Sequence, residues 1–302
     1  MRRKKIWLLL AAAAFLAAGV CVCFVWQNQK EKADTQQMYE KMRQEAKLDT
    51  KSAPEDVAGT EEGSVITDAL PEGRNGTEAF GGSETGAKQK PDDTVAESEE
   101  LLSEGMTELS IPVDFEELRN MNPDIYAWIT VPGTAIDYPV VQNEDNTWYL
   151  TRSAEGEDSV AGAIFSETFN EKDFSDVHTV LYGHNMKDGS MFADLHRFED
   201  EEFFEEHREI AVYTPDSICY YRIFAAYLYD DRHLLQSYDC SDPLVFEAYI
   251  KEVLEQRNLY AHIDQDVKIG EGDRILTLST CHSKGNAYRY LVQAVLEKEL
   301  KK

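Results

Sequence analysis

Positive charge is scarce in this 302-residue chain: 30 Lys and Arg stand against 57 Asp and Glu, for a net charge of −27. A surface this acidic repels phosphate backbones, so nucleic acid, whose binding relies on Lys and Arg to neutralise phosphates, is excluded as a partner. The excess acid is read as solvated surface. Cysteine is scarce too, with five residues at 21, 23, 219, 240 and 281. Only Cys219, Cys240 and Cys281 lie beyond the N-terminal apolar run, an odd number that leaves at least one unpaired and rules out a fully paired disulfide framework. A Cys219–Cys240 bridge is compatible with the sequence, although Cys219 sits in a strand-like run where a thiol packs as a small hydrophobe. Paired Cys/His ligands at zinc spacing are missing, so no metal ligand and no cofactor is expected. There is no internal repeat.

Charge and proline are absent from Ile6 to Trp26. As a helix at about 1.5 Å per residue this run spans roughly 30 Å, the thickness of a bilayer core. A cleaved signal peptide would have a shorter apolar core and a small-residue exit, whereas this run ends on Val22-Cys23-Phe24-Val25-Trp26. Arg2, Arg3, Lys4 and Lys5 precede it and should remain in the cytoplasm, placing the rest of the chain outside. Residues 1–26 are therefore read as a cytoplasmic start and single-pass membrane anchor. Residues 27–110 are read as a flexible acidic stalk. Its first part, to about residue 50, can form a short polar helix, and from about 51 to 109 it is rich in Gly, Ser, Thr and charge and poor in aromatics. Such a segment buries too little apolar surface to offset its ordering entropy.

Residues 111–302 form the folded domain in this reading. Asp114 followed by Glu117 marks a helix start. Short β-type runs follow at 127–131, 138–142, 163–165, 179–182, 210–213, 220–227, 267–269, 275–280 and 288–296, a spacing that predicts a mostly β barrel or sandwich. Two amphipathic stretches, 192–206 and 243–258, interrupt them at helical spacing. The acidic run from Glu199 to Glu206 reads as a solvated helix face around Phe198, Phe203 and Phe204 rather than a metal site.

Three local patterns carry chemistry. One apolar strand, Val180-Leu181-Tyr182, ends on Gly183-His184; a second, Ile275 to Thr280, ends on Cys281; a third opens on Tyr288-Arg289. Strand ends beside loops are where a rigid scaffold presents reactive groups. Each residue alone has a plainer reading: a buried thiol, a satisfied core histidine, a surface ion pair. Together they supply a thiol nucleophile, a proton shuttle and a fixed cation for a developing oxyanion. No orienting carboxylate follows His184, which argues against a papain-like arrangement.

Tyr182-Gly183-His184, the pentapeptide Thr277-Leu278-Ser279-Thr280-Cys281 and Arg289 resemble the sortases, Gram-positive surface transpeptidases. Asn122 to Ile129, Ile136 to Gln142, Asp145 to Leu150 and the 243–258 helix look like class B in particular. The resemblance covers residues 111–298. It implies an eight-stranded β-barrel with peripheral helices behind the anchor and stalk. It also implies a cysteine transpeptidase that cleaves a Thr-Gly type C-terminal sorting signal of surface proteins and passes the acyl group to a peptidoglycan amine. Cys281 would attack, His184 would move protons, Arg289 would bind the signal's backbone and the oxyanion, and Ser279, Asn146 and Leu150 would lie against the signal. Wall anchoring is the first expectation, with pilin polymerisation and a hydrolytic cysteine peptidase of the same fold as alternatives. One departure stands out: His282 follows the nucleophile where some class B members carry an acid, and a second imidazole beside the thiol would perturb it.

Overall fold

The computed structural model describes residues 29–30, 33–46, 109–283, 285 and 287–302. The apolar run at 6–26 and the polar segment at 51–108 lie outside the described residues. Among the described residues no helix is long and apolar enough to cross a membrane.

Among the described residues nine strands follow one another as β1 (Ile125–Thr130), β2 (Asp137–Val141), β3 (Ile164–Ser166), β4 (His178–Tyr182), β5 (Glu209–Tyr213), β6 (Ser217–Asp230), β7 (His262–Ile263), β8 (Ile275–Cys281) and β9 (Tyr288–Lys301). They hydrogen-bond in the order β5-β1-β2-β3-β4-β8-β9-β6, and β6 pairs back with β5, closing eight strands into a barrel. Closure removes the exposed edges that an open sheet would present. The two-residue β7 is appended to β6. The 14-residue β6 shifts register against β9 at Tyr220/Tyr221 and at Ile223/Ala225. Such bulges bend a strand, and β6 pairs with β5 near its start and with β7 further along. The strand expected at 267–269 does not form. Val267 and Ile269 pack instead as loop side chains against the cluster under the main helix.

The apolar runs at the heart of the barrel are buried on both faces, which is why they lack the polar alternation of a half-solvated sheet. Leu181, Leu276, Leu278, Val292 and Ala294 belong to the large cluster around Trp128. Their alternate neighbours Val180, Ile275, Leu291 and Val295 join a second cluster with Phe246, Tyr249, Ile250 and Val253 of helix α5 (Pro243–Leu254). The period-2 alternation of strand side chains feeds both cores from one run. Asp242 caps α5 by accepting from Leu244 N at 2.9 Å, and Pro243 occupies the first turn. The 192–206 stretch breaks into a 3-10 helix (Ala193–Glu199) and helix α3 (Glu201–Glu206), because Asp200 is extended and caps α3 through Phe203 N. A short helix α4 (Leu234–Ser237) follows β6.

Residues 33–45 form helix α1, as the local reading allows, but they are not part of a free stalk. Tyr39, Met42 and Ala46 are buried in the large cluster, the Tyr39 hydroxyl donates to Gly162 O at 3.1 Å, and Arg43 Nε lies 3.0 Å from Asp137 Oδ2. Asp114 caps helix α2 (Phe115–Met121) by accepting from Glu117 N, as anticipated, while its own N–H donates to Ala46 O at 3.1 Å and ties the two segments together. The stripe 39-42-46 is three residues among many polar ones, too sparse to register as a core face in the sequence.

His178 on β4 is buried between Thr277 Oγ1 (2.8 Å) and Cys240 Sγ (3.6 Å), and burial lowers its pKa from 6.5 to about 3. The folded chain therefore binds fewer protons here than the unfolded chain. This contribution to stability is whole above about pH 6.5 and is lost as pH falls toward 3. Lowering the pH to 5 should cost about 2 kcal/mol through this one group. Urea unfolding of the parent and of His178→Gln at pH 7 and pH 5 checks it: the variant should lose less stability on acidification, and equal losses would reject the assignment.

Candidate active site

Two strand ends and one strand start meet at one end of the barrel. β4 and β8 run parallel with Tyr182 opposite Ser279, and Gly183 N extends the ladder to Ser279 O at 3.1 Å. One residue further, His184 comes level with Cys281. β8 and β9 are antiparallel, and Cys281 is the direct partner of Arg289. Directly opposed residues of an antiparallel pair present their side chains on one face, about 5 Å apart at Cβ. Gly183 permits the exit from β4: a Cβ there would lie 2.5 Å from Ile164 Cδ1 and 2.7 Å from the Phe192 ring.

These residues line a cleft of about 280 Å3, and Asn146, Leu150 and Ser279 line it too. All six residues singled out from the sequence thus share one cavity. His184 Nε2 donates to Leu150 O at 2.8 Å, since a carbonyl only accepts. In this ring orientation Nδ1 is the nitrogen left to take up or release a proton. Gly162 (φ +60°) lets that backbone come close, because a Cβ there would sit 2.6 Å from Tyr149 O and 3.0 Å from Leu150 O. Thr280 Oγ1 donates to Gly183 O at 2.8 Å, and Asn185 Nδ2 donates to Cys281 O at 3.0 Å, locking the two strand ends together.

The three described cysteines are all free, so the Cys219–Cys240 bridge does not form. The two thiols belong to different cores, Cys219 to the barrel interior and Cys240 to the cluster beneath α5. Burial raises the pKa of both, that of Cys240 to about 12, which makes them poor nucleophiles at neutral pH. Cys281 is the partly exposed one.

The cleft floor holds a group the sequence did not reveal. Glu167, just past β3, has a side chain only 1% exposed, with His233 Nε2 at 2.8 Å and the Tyr182 hydroxyl donating at 3.1 Å. Asn146 Nδ2 also donates to Glu167, and Asn146 Oδ1 accepts from Thr168 N at 2.9 Å. The Asn146 amide is thus committed at both ends to the protein. Burial, and then the Glu167 charge, push the Tyr182 phenol well above its ordinary value, while Arg289 pulls the other way. Glu167 and His233 are 66 positions apart by number and follow no local motif, so only the assembled barrel brings them together. His282 does not line the cleft: it is buried on the other side of the strand end, against Tyr260, His196 and Glu199. Strand alternation turns it away from the neighbouring thiol.

A closed barrel that sets a histidine and an arginine on either side of an accessible cysteine has the layout of a thiol-based acyl-transfer enzyme. The Sortase domain family matches residues 129–297. Sortase B of Listeria monocytogenes is 36% identical over 171 residues, 57% of this chain and 68% of that protein. Among solved structures, Clostridium perfringens sortase B superposes with a TM-score of 0.56 at 33% identity, covering 61% of this chain and 100% of that one. A Staphylococcus aureus sortase B–substrate complex superposes with a TM-score of 0.56 at 30% identity, over 66% and 91% of the two chains. The chain belongs to the sortase family of cysteine transpeptidases, in class B.

Proposed function

We propose that this chain cleaves a Thr-Gly type C-terminal sorting signal on surface proteins and joins the freed acyl group to a peptidoglycan amine. The observation that carries this reading is the register at the cleft: Cys281 directly opposite Arg289, with His184 delivered alongside by the parallel strand. The Cys281 thiolate attacks the threonine carbonyl, and the carbonyl electrons move onto oxygen, where Arg289 supplies cationic donors. Collapse of this intermediate expels the glycine amine, which takes its proton from His184, and leaves a thioacyl enzyme. An incoming amine then gives a proton back to His184 and attacks the thioester, regenerating the thiolate. Leu150, 38% exposed at the cleft, offers the signal apolar contact, and Ser279 and Asn146 shape the wall behind it. That a relative of this fold is described with a bound substrate is consistent with the cleft as a peptide site.

Incubating the chain with a Thr-Gly signal peptide and an amine acceptor tests the reading by mass spectrometry. The expected products are a thioacyl adduct on the protein and an acyl–amine conjugate. Release of free acid alone, with the amine present in excess, would favour the hydrolytic alternative. Arg289→Lys should lower the rate about 10²- to 10³-fold, because a point charge does not reproduce the planar fork of donors. A rate within a few fold of the parent would remove Arg289 from the oxyanion site.

The same reading places the chain in the cell membrane, N-terminus inside and barrel outside, on the strength of the basic start and the apolar run 6–26. Protease added to wall-stripped cells should remove the barrel and spare the first two dozen residues. A protected barrel would reject that topology.

A further inference from the structure

Behind the nucleophile lies a second cluster that the transfer reaction does not use. His196 Nδ1 is 2.6 Å from Glu199 Oε1, His282 Nε2 is 3.3 Å from the same oxygen, and the three ligand atoms all lie within 4.8 Å of one another. The local geometry explains the convergence. In a 3-10 helix, residues i and i+3 eclipse, which puts His196 and Glu199 on one face. His282, the residue after β8, points away from the cleft that Cys281 lines and meets that face. The Tyr260 and Tyr290 rings stand beside His282 at 5.3 and 6.4 Å, and Tyr290 stacks on His196 at 5.2 Å.

We propose that His196, Glu199 and His282 form a binding site for a divalent transition metal of the zinc type. Two imidazoles and a carboxylate are a common zinc donor set, with a fourth position left for water. With ligand bonds of about 2.0–2.1 Å, tetrahedral donors stand about 3.3 Å apart, and the His282–Glu199 pair already has that spacing. In the shorter His196–Glu199 contact Nδ1–H donates to the carboxylate, and a metal on Nδ1 displaces that hydrogen to Nε2, so the neutral ring changes tautomer. The outer partner is also in place. Once His196 Nδ1 is committed to the metal, its Nε2 carries the hydrogen, and Nε2 lies 3.1 Å from Cys281 O. Metal-bound histidines characteristically donate the second ring N–H to a backbone carbonyl or carboxylate, which sets the tautomer. Here that carbonyl belongs to the nucleophile itself. Asn185 Nδ2, which contacts both Cys281 O (3.0 Å) and His196 Nε2 (2.9 Å), then keeps the carbonyl bond alone. The site goes beyond the sequence expectation of no metal, because its ligands come from two segments 83 positions apart by number and show no ligand spacing.

The test uses the full chain, solubilised in detergent, carrying Cys281→Ala so that the cleft thiol cannot serve as a ligand. Zn2+ titration by calorimetry should show one ion per chain. Co2+ should give the intense visible absorption of a tetrahedral site. Glu199→Gln, which preserves side-chain shape, and His282→Ala should each cost more than the about 10- to 100-fold typical of losing an outer partner. His184→Ala should leave the affinity unchanged. Circular dichroism confirms that each variant is folded. Absence of binding by the folded Cys281→Ala chain, or binding insensitive to Glu199→Gln and lost with His184→Ala, would overturn the site.

Discussion

Cys281→Ala is expected to abolish both cleavage of a signal peptide and formation of any covalent adduct, while the fold survives. Three features converge on this thiol. It ends β8 at the rim of the cleft, it is partly exposed, and Arg289 is its direct cross-strand partner. The other two described thiols fail on the same criteria, being buried and pushed toward the protonated form. Cys219→Ala and Cys240→Ala should therefore leave the reaction nearly intact, apart from the stability lost by emptying a packed position. Intact-mass measurement after incubation with a Thr-Gly peptide reads all three variants. An adduct that persists in Cys281→Ala, or maps to Cys219 or Cys240, would overturn the assignment.

His184→Ala should lower the cleavage rate about 10²- to 10⁴-fold, the usual contribution of a positioned proton shuttle. Its ring is oriented by the 2.8 Å bond to Leu150 O, which leaves Nδ1 for proton exchange. The size of the loss should depend on the leaving group. A peptide whose scissile amide is replaced by an ester expels an alkoxide-derived alcohol that needs protonation less than an amine does, so the variant should recover much of its activity on the ester. An equal loss on amide and ester would mean that His184 acts by shaping the cleft and not by moving a proton.

Much of this was legible locally. The strands ending on His184 and Cys281 and opening at Arg289 read as apolar runs bounded by turn residues, and the helix cap at Asp114 announced itself through Glu117. His184, Cys281 and Arg289 were visible because each lies at the end of a run whose period is set by its immediate neighbours. The boundary at residue 110 was less legible. Tyr39, Met42 and Ala46 form too narrow a stripe to be recognised as a face until the barrel they cover exists. The strand expected at 267–269 failed for the converse reason. Its apolar residues pack against the cluster beneath α5, and the pairing next to β6 goes to His262–Ile263 instead. The possible Cys219–Cys240 bridge required a distance that composition does not contain.

By itself, then, the sequence determined the β character of the domain, the positions of most of its strands, the cap at Asp114, and the three residues that the cleft presents together. Those properties rest on side-chain periodicity and on backbone preferences that act over a few residues. The tertiary structure alone decided what those residues face. Closing the ring brought Glu167 against His233 and Tyr182, laid α1 on the barrel, and set His196 and Glu199 against His282 behind Cys281. Each of these contacts joins positions far apart along the chain. Their geometry is fixed by strand order and register, and no short stretch of residues encodes either.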